Sequence, residues 1–197
     1  MIHESTRDRI MNTALMLFSQ KGYHAVSVRM LAKALGFSEA ALYKHFESKR
    51  ALFEALVARQ KIWTDQAMDA AESKPYEVLS DMAFCEVGKR FFTDFLMRDE
   101  VMCFWKMVIL EQYDDAEMAA IYQKELVTQP RAYQAALFEH LIAIGALAAH
   151  DPKQLARQFF SPALMIYFEH LGQYLTKKEA LTELEAHFLH FRGVYGQ

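Results

Sequence analysis

Residues 27–49 read Ser-Val-Arg-Met-Leu-Ala-Lys-Ala-Leu-Gly-Phe-Ser-Glu-Ala-Ala-Leu-Tyr-Lys-His-Phe-Glu-Ser-Lys, and this stretch decides the fold. Val28, Leu31, Ala32 and Leu35 fall at i, i+3, i+4 and i+7, one apolar face of a short helix, and Ser27 stands where its N-cap belongs. Gly36 supplies the left-handed residue that ends this helix, with Phe37 as an apolar plug behind it. Ser38 then caps a second helix, which turns Leu42 and Phe46 to one side and Glu39, Ala40, Tyr43 and Lys44 to the other. Two short helices joined by a Gly turn form the outline of a helix-turn-helix, whose second helix enters a DNA major groove.

Upstream, Ile10, Ala14, Leu17 and Phe18 repeat at helical spacing and stop at Lys21-Gly22, so three helices share one small core. Downstream, residues 49–72 read as one long helix closed by Ser73-Lys74-Pro75. Further helices are expected near 76–97, 100–113, 115–123, 129–147, 152–174 and 178–194, with a break at Pro130 and a kink at Pro162. Sustained period-2 alternation and hairpin turns are missing, so the expected class is all-α. The expected domains are a helix-turn-helix head at 1–48, a connecting helix at 49–74 and a larger helical body at 75–197.

Charge divides the chain the same way. Residues 1–63 carry ten Lys/Arg against five Asp/Glu, a net of +5, whereas the remainder carries 12 against 20, a net of −8. A basic head on an acidic body favours one docking orientation on a polyanion. Lys49 and Arg50 lie at the start of the long helix, where the macrodipole is already positive. Each cation there costs about 0.3–1 kcal/mol unless an anion docks beside it.

The run Leu42-Tyr43-Lys44-His45-Phe46, followed by Ser48-Lys49 and Leu52, resembles the TetR family of bacterial transcriptional regulators. Ala14, Leu17-Phe18, Gly22, Ser27-Val28, Leu31-Ala32 and Gly36-Phe37-Ser38 extend the match over about the first third of the chain. Beyond residue 75 no motif of the family is visible. The resemblance implies that Tyr43, His45 and Lys49 contact the DNA backbone. It also implies a palindromic operator, a homodimer, and repression relieved by a small effector.

At the groove-facing start of the second helix, Lys44 can donate to guanine, Ala40 or Ala41 can meet a thymine methyl, and Glu39 can accept from cytosine. Glu39-Ala40-Ala41 departs from the Gly-Thr or basic residue often found there in the family. Arg29 is a further groove candidate, and the caps Ser27 and Ser38 complete the DNA-binding set.

For the body, the chain holds 15 Phe, 9 Tyr and 11 Met, material for either an ordinary core or an apolar pocket. The family resemblance favours a hydrophobic or aromatic effector among the middle helices. The candidate lining is Phe84, Gly88, Phe91, Phe92, Cys103, Trp105, Met107, Tyr113, Met165 and Tyr167. Leu155, Phe159, Leu164, Phe168 and Leu171, with Leu184, Phe188 and Phe191, form apolar faces on the last two helices. These suit a four-helix dimer interface or packing within one chain.

Other chemistries find little support. A di-iron bundle needs Glu-x-x-His, and no His here has Glu three residues before it. Gly-rich phosphate loops and nucleophile elbows are missing too, so neither an enzyme nor a cofactor is expected. Glu183, His187 and His190 share a helix face, as a metal site or as a polar stripe. Cys85 and Cys103 have no metal-motif spacing, and read as a redox pair or as buried thiols. The longest apolar run, 141–149, is too short to span a bilayer, and no secretory signal is seen, so the expected location is the cytoplasm.

Overall fold

The computed structural model describes residues 5–72, 86 and 88–196. Phe84, Cys85 and half of the helix expected at 76–97 lie outside them. The described residues are helical apart from turns and one isolated bridge between Leu147 and Gly196. They divide into two units, one within Met1–Gln66 and Arg98–Ala119, the other within Ala67–Met97 and Ala120–Gln197.

In the first unit α1 spans Thr6–Lys21, α2 Val28–Leu35 and α3 Glu39–Tyr43. The caps are those the sequence announces. The Ser5, Ser27 and Ser38 side chains accept the backbone N–H groups of Asp8, Met30 and Ala41. Gly36 adopts φ +70°. Its N–H donates to the Lys33 carbonyl at 3.3 Å and the Phe37 N–H to the Ala32 carbonyl at 2.9 Å, the paired bonds of a Schellman motif. Ile10, Ala14, Phe18, Leu31, Leu42 and Phe46 are buried together with Leu52 and Phe53 of α4, Lys49–Glu72. Helix α5, Asp99–Glu111, packs along α1 in this same unit. Cys103, Trp105, Met107 and Tyr113 therefore group with the N-terminal residues.

The second unit holds a π-helical turn at Phe92–Leu96, α7 at Gln129–Ala143, α8 at Pro152–Leu171 and α9 at Lys177–Tyr195. The short α6, Ala116–Ile121, runs into a second π-helical segment, Tyr122–Thr128, and straight on into α7. The break expected at Pro130 is thus replaced by a π segment. Proline lacks an N–H, and here the N–H of Gln129 reaches back five residues to the Lys124 carbonyl, a wider turn that precedes the proline ring. Helix α7 also stops earlier than its apolar pattern suggests, because Gly145 turns left-handed at φ +79°.

Pro162 sits inside α8, where it leaves the helical ladder short of a donor. Three residues before the proline, the Phe159 carbonyl accepts from His187 Nε2 of α9 at 2.7 Å. Burial holds the His187 imidazole below the ordinary 6.5, against the opposing effect of that bond. The unfolded chain then binds the proton more readily, so His187 contributes stability above about pH 6.5 that is lost as pH falls through its lower folded value. Thermal melts between pH 5 and 7.5 are expected to show a smaller acid-side decline in His187→Gln, whose amide still donates but does not titrate. An undiminished decline would assign the acid sensitivity elsewhere.

Candidate nucleic-acid interface

Helix α3 has five residues, too few to be stable alone, and its position depends on what surrounds it. Leu42 and Phe46 are buried and anchor it to the head. Ser38, Glu39, Ala40, Tyr43 and Lys44 are exposed, and Ala41 and His45 half-buried. Ser27 and Arg29, at the start of α2, are exposed as well. Glu39 occupies the first turn of α3, where its carboxylate complements the helix dipole whatever else it meets.

The basic residues separate into two groups. Arg7, Arg9, Lys49, Arg50 and Arg59 are bonded within the unit. Among the described residues no ion pair or hydrogen bond engages the side chains of Lys21, Arg29, Lys33, Lys44 or Lys61. The open charge therefore includes Arg29, Lys33 and Lys44 of α2 and the α3 end. Lys33 lies four residues after Arg29, one helical turn along; the sequence reading passed it over, although that spacing was its available signal.

Lys49 is placed differently from the expectation. Its ammonium donates to the Tyr23 and Val26 carbonyls, both at 2.9 Å, and lies 4.3 Å from the Tyr23 ring centroid. Burial lowers its pKa, and the Glu111 carboxylate opposes that shift. Two of its three N–H donors are thus spent tying the α1–α2 loop to α4. Arg50 pairs through both terminal nitrogens with Glu117, one of them at 2.8 Å, and through Nε with Glu54 at 2.8 Å. Hydrogen bonds to Glu117 and then Glu54 raise its pKa further. The cations at the start of α4 thereby find oxygen partners inside the protein, and their placement no longer requires a docked anion.

The same loop is held from α5. The Glu111 carboxylate, buried, accepts the His24 N–H at 3.3 Å. The His24 imidazole lies 3.2 Å from Asp115 and 3.7 Å from Glu111. Partial burial opposes it, yet the N–H groups of Met118 and Glu117 and the His24 side chain hold the Asp115 carboxyl below the usual carboxylate range.

The ligand candidates do not form one set. Trp105 and Met107 are buried in the first unit, with Cys103 half-buried, while Tyr113 is 88% exposed. In the second unit Phe92 and Tyr167 are buried and Phe91 half-buried, but Met165 is 60% exposed. The space a Cβ would take at Gly88 is filled by the Phe188 ring, 2.7 Å away, so this glycine serves packing. Tyr113 and Met165 are surface residues in this arrangement.

The dimer candidates need a larger correction. Leu155, Leu171, Leu184, Phe188 and Phe191 are buried within the single chain; only Phe159, Leu164 and Phe168 remain half-exposed. Phe159 stacks on Phe188 at 5.0 Å, and Phe138 on Phe191 at 5.3 Å. The two helices use these faces on each other and on α7. Their outward residues are instead Met165 of α8 and Leu189 and Val194 of α9, 47% and 52% exposed. No group of three or more His, Cys, Asp or Glu among the described residues is arranged to hold a metal, and none of their helices is long and apolar enough to cross a membrane.

Comparison with known proteins agrees with this architecture. Residues 10–56 match the model for bacterial regulatory proteins of the tetR family, and residues 83–186 match the C-terminal domain of AefR-like transcriptional repressors. The HTH-type transcriptional regulator UidR of Escherichia coli is 38% identical over 58 residues, 29% of this chain and 30% of that protein. The chain thus aligns with about a third of the length of the curated relatives it matches. Among solved structures, a TetR-family regulator from Mesorhizobium loti superposes with a TM-score of 0.73 at 22% identity over 100% of both chains. A transcriptional regulator from Saccharomonospora viridis, solved in complex with choline, gives 0.70 at 20% identity over 97% of both chains. With one model covering the head and another more than half of the chain, this protein belongs to the TetR family of bacterial regulators.

Proposed function

We propose that this chain is a homodimeric, DNA-binding transcriptional repressor released from its operator by a small, largely apolar effector. The observation that carries the reading is the exposed α3, which presents Tyr43 and Lys44 beside Arg29 and Lys33 with no internal partner for the three cations. Each head offers one such helix, and a two-fold dimer offers two, matched to major grooves about 34 Å apart along one face of the duplex. Met165, Leu189 and Val194 supply apolar surface for the partner copy. The choline held by the structurally similar regulator supports a small-molecule effector in this fold, and the aromatic and Met content supports an apolar one here. The effector acts by favouring the state whose heads are wrongly spaced for DNA.

The test is fluorescence anisotropy on a duplex selected from random sequences, titrated across a salt series. Two chains per duplex and a steep negative slope of log K against log salt are expected. Lys33→Gln should reduce that slope by about 0.9 per copy, about 1.8 for the dimer. Weak binding equal on all duplexes would sink the reading.

A further inference from the structure

We propose that Arg7 is a positioning residue for DNA readout, one that fixes the C-terminal end of the recognition helix instead of meeting a phosphate. This rests on the DNA-binding reading above. A five-residue helix leaves nearly all of its terminal carbonyls without intrahelical donors. The Leu42 carbonyl receives the N–H groups of His45 and Phe46 at 3.0 and 3.1 Å. The His45 carbonyl, just beyond, receives Arg7 Nη1 at 2.9 Å across 38 residues of sequence.

The same guanidinium lies 4.1 Å from the centroid of the Phe46 ring, and Phe46 is buried in the head core. Arg7 is thereby held over a ring and bonded at an edge, at the negative end of the α3 dipole, where a cation is favourable. Arg9 repeats the device on α2. Its Nη2 donates to the Leu35 carbonyl at 2.9 Å, with the guanidinium 4.9 Å from the Phe37 ring. Two residues apart, the arginines leave α1 about 200° apart around its axis, and each reaches the end of a different helix. The first turns of α1 thus set where both helices of the motif stop. Tyr43 and Lys44 immediately precede the bonded carbonyl, so releasing it displaces the side chains that face DNA.

Three explanations of a weakened variant separate cleanly. A positioning residue governs preference for the selected duplex. A phosphate contact governs affinity for every duplex and the salt slope. Simple loss of folded protein lowers both affinities equally and leaves the slope alone. Arg7→Gln and Arg7→Lys, with the wild type, are to be titrated by anisotropy on the selected duplex and on an unrelated duplex of equal length, at several salt concentrations. For Arg7→Gln the expected result is about tenfold weaker binding to the selected duplex, affinity for the unrelated duplex within twofold, and an unchanged slope. Arg7→Lys, whose ammonium still reaches the carbonyl, should recover part of the preference; it also carries the test if the Gln variant fails to fold.

Equal weakening on both duplexes overturns the proposal, with a slope reduced by about 1.8 identifying two phosphate contacts and an unchanged slope identifying fold loss. No change in either variant overturns it as well. A wild type without preference for the selected duplex removes the DNA-binding reading, and this proposal with it.

Discussion

Phe188→Ala is expected to destabilise the second unit by about 4 kcal/mol, the usual range for deleting a fully buried phenyl ring being about 3–5. The side chain is 0% exposed. It stacks on Phe159 at 5.0 Å, lies 6.2 Å from the Phe92 ring and 5.7 Å from His187, and fills the space left open at Gly88. Truncation removes ring contacts on every side, and the stacked neighbours leave few ways to close the cavity. At about 2–4 °C per kcal/mol for a chain of this size, the melting temperature should fall by about 12 °C. Circular dichroism melts measure this directly. A fall below about 3 °C, together with loss of self-association in sedimentation, would return Phe188 to the dimer interface where its apolar spacing first put it.

Gly22→Ala is expected to cost about 3 kcal/mol through two separable effects. Gly22 sits at φ 84° and ψ 151°, a region that essentially only glycine enters, so any side chain there is strained. An added Cβ would also stand 2.4 Å from Glu111 Oε1, the same oxygen that accepts the His24 N–H. The carboxylate must then move, leaving the loop between α1 and α2 without its anchor on α5. Gly36→Ala is the control: φ is +70°, yet nothing lies within 4 Å of its Cβ position, so only the backbone cost of about 1–2 kcal/mol remains. In the Gly22→Ala background Glu111→Ala should cost less than it does alone, because the clash has already displaced the carboxylate. Strictly additive melting temperatures would contradict the close approach.

Much of the head was legible because its signals are local. Ser27, Gly36 and Ser38 cap and stop helices through bonds spanning at most five residues, and the apolar spacing of Leu31, Leu35, Leu42 and Phe46 states which side faces inward. Exposure of Tyr43, Lys44 and Arg29 follows from the same spacing. The last helix, expected at 178–194, is found at Lys177–Tyr195, where the structure adds a capping box between Thr176 and Glu179 at its start. Pro130 misled because a proline's missing N–H can be absorbed by a wider helical turn as well as by a break, and composition does not choose between them.

By itself, then, the sequence determined the all-α class, the helix-turn-helix with its caps, the basic character of the N-terminal third and the exposed residues of α3. These follow from short-range backbone sterics and period-3.6 patterning, which every residue carries with it. Tertiary structure alone decided which charges are open and which apolar faces are spent. Arg50 meets Glu117 67 residues away, Arg7 reaches a carbonyl 38 residues away, and Lys49 binds two carbonyls that no side-chain pattern records. An apolar stripe states that a face must be covered but not by what; Phe188 and Phe191 are covered within their own chain because α8 packs against both α7 and α9. Partner choice is a property of three-dimensional proximity, and it is what turns a count of ten basic residues into five whose charge has no partner among the described residues.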